Sequence, residues 1–143
     1  MTWRVLLAGS LQILLVSAAA ILLFVYLHET AVSMAVARGR TLRGGVSWGI
    51  TVQLALYVFA FLTLLQNAAA LRWPARRMSL AVLAWLVFAV LFTLLGNPFG
   101  SWAHPYRWAL LMFCSAAGCA LSLVGQGLWQ LVQQRRLPVQ ARV

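Results

Sequence analysis

Lysine and aspartate are missing from this 143-residue chain, and glutamate occurs once, as Glu29. Charge is scarce: eleven arginines and that one carboxylate make up 8% of the residues, while 64% are hydrophobic. A soluble domain keeps about a quarter of its residues charged to wet its surface, so an ordinary soluble globule is excluded. Without aspartate no Ser-His-Asp set can form. A single acid also cannot carry out paired-carboxylate chemistry. There is no Walker loop, no dinucleotide fingerprint and no cysteine-rich metal knuckle. A free-standing hydrolase or oxidoreductase is therefore not expected, and neither is a cofactor. The basic balance does not point to nucleic acid, because the arginines are scattered among apolar runs instead of gathered on a hydrophilic face.

What is present is apolar length. Residues 5–27, 50–71, 78–96 and 108–132 are four runs of 23, 22, 19 and 25 residues. A helix needs about 20 residues to cross a hydrocarbon core of about 30 Å. No period-2 alternation supports a β-barrel, and helices satisfy their own backbone in lipid. The expected fold is an all-α integral membrane protein, a bundle of four transmembrane helices forming one domain over residues 1–143. Trp73-Pro74, inside the six-residue turn 72–77, folds the second and third helices into an antiparallel hairpin. Gly96-Asn97-Pro98 stops the third helix, and His104-Pro105 precedes the fourth. The one long connection is 28–49; its apolar start, 30–37, prolongs the first helix or lies at the interface, and Gly44-Gly45 breaks it. The first run carries Arg4 and a small-residue patch, Ser17-Ala18-Ala19-Ala20, as a signal peptide does. It continues to Leu27, beyond a typical h-region, and reads as an uncleaved helix.

Arginine counts orient the bundle. One side holds Arg4, Arg72, Arg76, Arg77, Arg135, Arg136 and Arg142; the other holds Arg38, Arg40, Arg43 and Arg107. By the positive-inside rule this excess puts both termini, including a basic tail at 133–143, in the cytoplasm. Lysine-free usage points to a high-GC bacterial source and hence to a bacterial inner membrane. Trp3, Trp48, Trp73, Trp102, Tyr106, Trp108 and Trp129 fall near helix ends, as an interfacial aromatic belt requires.

Helices in lipid associate through small residues and side-chain hydrogen bonds. The fourth helix carries a seam of that kind: Ser115, Gly118, Ser122, Gly125 and the adjacent Gln126. The second offers a polar face of Gln53, Thr63 and Asn67, and the first has Ser10, Ser17 and Ala20 on one face with Gln12 on another. The third is bulky all round, so helices one, two and four are expected to form the interior, with helix three facing lipid or a partner. The polar faces serve either as interhelical glue or as a polar path. No ionisable residue lies deep in any run, and intramembrane charge is the usual mark of ion coupling.

Three further groups carry possible chemistry. His28, Glu29 and His104 share the non-cytoplasmic side, where two histidines and a carboxylate are able to ligate a metal. Their spacing matches no metal signature, and pairing of Glu29 with Arg38 or Arg107 is the plainer use. Neither histidine is expected inside the bundle. Cys114 and Cys119 lie about 140° apart around one helix at 100° per residue, which disfavours a bridge between them. Arg72, Arg76, Arg77, Arg135 and Arg136 concentrate on the cytoplasmic face, where each contributes about 1 kcal/mol toward anionic lipid headgroups; they alternatively enforce topology or meet an acidic partner. Two functions remain open. One is a non-catalytic accessory, scaffold or immunity-type subunit that packs against a membrane protein or itself. The other is a small oligomeric transporter, channel or anionic-lipid-handling protein.

Overall fold

The computed structural model describes residues 3–40, 46–96 and 105–136. They form four long helices: α1 (Trp3–Ala37), α2 (Val46–Arg72), α3 (Arg77–Gly96) and α4 (Pro105–Arg136), with a 3₁₀ turn at Pro74–Arg76. All four are long and apolar enough to cross a membrane. Successive helices run antiparallel, and each packs on its two neighbours around a square, with α1 against α4 the most extensive pairing. Both α1's start and α4's end therefore lie at one end of the bundle, with the α2–α3 turn. We call this the proximal end and the opposite one the distal end.

Local chemistry sets the boundaries. Between α2 and α3, Pro74 occupies the first position of the 3₁₀ turn, where its missing N–H costs nothing. Trp73, Arg76 and Arg77 keep their backbone N–H groups bonded through the corner, so the hairpin reverses without a long loop. Pro105 likewise opens α4. Of the two expectations for 30–37 the first holds: α1 continues to Ala37, ten residues into the 28–49 connection. Val32 is buried and sits one helical turn beyond the buried His28, so this stretch still has an inward face to pack. The stop is Gly39, whose φ of +72° a side chain would rarely adopt. Arg40 N donates to Ala35 O at 2.9 Å and Gly39 N to Val36 O at 3.0 Å, the paired bonds of a Schellman cap. Gly44-Gly45, the expected break, lies outside the described residues, as do His104, Trp102, Arg43 and Arg142.

The distal half of the interior is aromatic. Phe24 of α1 stacks on Phe59 of α2 at 4.8 Å between ring centroids. Phe59 meets Phe88 of α3 edge-on at 6.0 Å. Phe88 stacks on Phe92 at 5.7 Å, and Phe92 on Trp108 of α4 at 4.8 Å. One continuous chain of rings thus crosses all four helices, each pair contributing about 0.5–1.5 kcal/mol beyond its area. It also qualifies the expectation for helix three: α3 sends Phe88 and Phe92 into the core, both about 1% exposed, while the rest of its surface is the least covered of the four.

Candidate functional site: a buried polar layer in the proximal half

Above the rings, toward the proximal end, the interior changes character. Gln12 and Ser17 from α1, Thr63, Gln66 and Asn67 from α2, and Ser122 and Gln126 from α4 are all buried. Small residues bring the helices close enough for these side chains to meet. A Cβ on Gly118 would overlap the Phe59 ring and stand 3.3 Å from the Ala20 carbonyl oxygen, and one on Gly125 would press on Val16 at 3.1 Å. The α4 seam is thus the surface along which α1 and α2 approach it, with Ser115 and Ser122 fully enclosed beside it.

Asn67 is the hub. Its Nδ2 donates to Ser17 Oγ at 2.9 Å, and its Oδ1 accepts from Gln126 Nε2 at 2.6 Å. One side chain therefore ties α1, α2 and α4 together through both halves of its amide. Around it, Thr63 Oγ1, Gln66 Nε2 and Oε1, Ser122 Oγ, Gln126 Oε1 and Trp129 Nε1 are buried with no protein partner. Buried groups left this way cost about 1–3 kcal/mol each, and ordered water is the usual means of completing them. Among the described residues the layer holds no ionised group, so what it offers chemically is a set of neutral hydrogen-bond donors and acceptors.

Several expected positions move. Gln53 is exposed and donates to Tyr57 Oη at 3.0 Å, apart from the layer. A straight helix turns about 20° per heptad away from the 3-4 spacing that placed Gln53 with Asn67, so two heptads carry it off the buried stripe. Ser10 is exposed, whereas Gln12 is buried and continues a stripe of Val16, Ala20, Phe24, His28 and Val32. That spacing was readable in the sequence; Gln66, adjacent to Asn67 beside the polar face, joins the layer with both amide atoms buried and without a protein partner.

At the distal end His28 proves to be buried, against the expectation that neither histidine enters the bundle. Its stripe faces inward for the whole length of α1. His28 Nδ1 lies 3.3 Å from Glu29 Oε1, so among the described residues Glu29 meets this imidazole in place of Arg38 or Arg107. Arg107 is itself buried, with its guanidinium 5.7 Å from the Tyr106 ring centroid. Within the described residues no three His, Cys, Asp or Glu side chains gather as a metal site. Cys114 and Cys119 are free and buried. At the proximal rim, Arg72, Arg76 and Arg135 are exposed, and the half-buried Arg77 donates from Nη1 to Gln130 Oε1 at 3.0 Å; the Arg136 side chain is outside the described set.

No protein-family model matches this chain, and no curated protein or solved structure is significantly similar to it. The residues and their geometry therefore carry the functional argument alone.

Proposed function

We propose that this protein is a non-catalytic, multi-pass protein of the bacterial cytoplasmic membrane, with both termini in the cytoplasm. It acts as an accessory, scaffold or immunity-type subunit by packing against a membrane partner. The supporting observation is the unequal division of the bundle. Asn67 locks α1, α2 and α4 to one another, whereas α3 has only 17% of its best apolar window buried, against 28–33% for the other three. Val82, Leu83, Leu86, Val90 and Leu94 form a bulky exposed ridge along α3. A body held together by its polar layer, with its least covered helix presenting such a ridge, suits a subunit that docks through that helix.

The test is a photocrosslinker placed at Leu86 or Val90, compared with one at the equally exposed Leu14 on α1. The α3 positions should capture one defined membrane partner and Leu14 should not, and pure protein in vesicles should pass no solute. Reporter fusions after Val143 and within 41–45 should place the first in the cytoplasm and the second outside it; the reverse pattern would overturn the orientation.

A second reading, a small oligomeric transporter, channel or lipid-handling protein, is favoured by the six buried polar atoms without a protein partner. Solute flux through the pure protein, abolished by Asn67→Leu or Gln126→Leu, would establish it over the first.

A further inference from the structure

On the outside of the bundle, where α3 and α4 meet near the proximal end, lies an open groove of about 370 Å³. Its floor and walls are apolar: Met78 from α3 and Leu123, Gly127, Leu128 and Leu131 from α4. Positions 123, 127 and 131 follow one another at single-turn spacing, so the groove runs about 12 Å along α4 at 1.5 Å per residue. It leads from the rim toward the middle of the bundle. Gly127 makes the notch, since a Cβ there would meet nothing within 4 Å except Arg77 Nη1 at 3.6 Å.

Among the described residues Arg77 is the one charged side chain lining the groove. It lies at the rim end, level with Gly127 and Gln130. The bond to Gln130 Oε1 occupies one of the five donors of the guanidinium and fixes its orientation. Arg135 follows Leu131 by one helical turn, on the same face of α4 and nearer the end. An apolar trough as long as a stretch of acyl chain, with a held guanidinium at its mouth and a second above it, is complementary in shape and charge to one kind of molecule.

We propose that this groove is a binding site for one phospholipid with an anionic headgroup. The acyl chain lies over Gly127 between Leu123 and Leu131, and the phosphate is received by Arg77 with Arg135 above it. Guanidinium donors match phosphate oxygens in a bidentate fork, and the Gln130 bond reduces the ordering that binding would otherwise require. This inference needs only that the helices lie in a bilayer; it is separate from the partner reading, and each can fail without the other.

The experiment uses the full chain in a mild non-ionic detergent, titrated with phosphatidylglycerol or with phosphatidylcholine of identical acyl chains, with adducts counted by native mass spectrometry. One phosphatidylglycerol adduct should saturate ahead of all others. One well-placed arginine corresponds to about a fivefold preference over phosphatidylcholine. Arg77→Gln should reduce that preference severalfold, leaving only the share of Arg135, and Arg77→Lys should keep more of it. Gly127→Leu, which fills the notch from outside the core, should weaken both lipids by similar factors. Arg38→Gln with Arg40→Gln, at the distal rim, should change nothing. Equal binding of the two lipids would overturn the proposal. So would a preference undiminished by Arg77→Gln, a Gly127→Leu variant that binds normally, or displacement of the lipid by millimolar inorganic phosphate. Helical content by circular dichroism accompanies each variant, and Gly127→Leu carries the test should Arg77→Gln fail to fold.

Discussion

Asn67→Leu is the sharpest test of how the bundle is held together. Leucine has the branched heavy-atom skeleton of asparagine with bulkier methyl groups, so the change removes the hydrogen bonds and adds some crowding at a buried site. Two bonds disappear, those to Ser17 Oγ at 2.9 Å and from Gln126 Nε2 at 2.6 Å. Interhelical hydrogen bonds in a membrane average about 0.6 kcal/mol, which puts the direct loss near 1.2 kcal/mol. The larger effect comes from what stays behind: a buried Gln126 amide nitrogen without an acceptor, at a cost of about 1–2 kcal/mol. The Ser17 hydroxyl retains its own backbone carbonyls as alternatives, so it adds little. The single substitution should therefore destabilise by about 2–3 kcal/mol. Unfolding in mixed micelles of mild detergent and dodecyl sulfate, followed by circular dichroism, measures it. Gln126→Leu alone orphans the Asn67 oxygen and should cost a similar amount. The double variant leaves neither amide stranded, so it should cost at least about 1 kcal/mol less than the two singles added together, well outside ordinary additivity error. Additive costs, or a single-variant cost below about 0.5 kcal/mol, would refute the hub role of Asn67.

Two further outcomes follow from packing. Gly118→Ala should destabilise by about 1–3 kcal/mol, because the Phe59 ring it would overlap is stacked on Phe24 and edge-packed on Phe88 and has nowhere to go; Gly127→Ala, whose Cβ would make only an ordinary contact with Arg77 Nη1 at 3.6 Å, should leave stability unchanged or slightly raised in the same assay. Cys114 and Cys119 are buried and free, so a small maleimide should label neither in mild detergent and both after denaturation. Rapid labelling of Cys114 in the folded protein would contradict its complete enclosure.

The number of helices and their antiparallel order were legible because they depend on apolar length and on the short Trp73-Pro74 turn, both local properties. The end of α1 was not. Gly44-Gly45 looked the stronger break, yet a single glycine at position 39 completes the cap as soon as its φ turns positive, and residue type alone does not reveal φ. The polar layer was legible in part. Thr63, Asn67 and Gln126 were found because polar residues in apolar runs stand out. Which face each occupies depends on the true helical twist and on the neighbouring helices, so of the amides expected to line a polar path Gln12 is buried and Gln53 is not. The ring chain was least visible: Phe88 and Phe92 look like ordinary lipid-facing bulk until Phe59 and Trp108 are seen to lie against them.

The same ring chain bears on permeation. Water entering from the proximal end would find amides and hydroxyls to wet down to the level of Asn67, and below them Phe59, Phe24, Phe88 and Phe92, each about 1% exposed. The interior is thus polar toward the proximal end and closed by packed rings toward the distal one. A route running straight through one copy would have to part stacked rings contributed by all four helices at once. A solute handled by this protein would more easily pass along a seam between copies than cross the bundle along its axis.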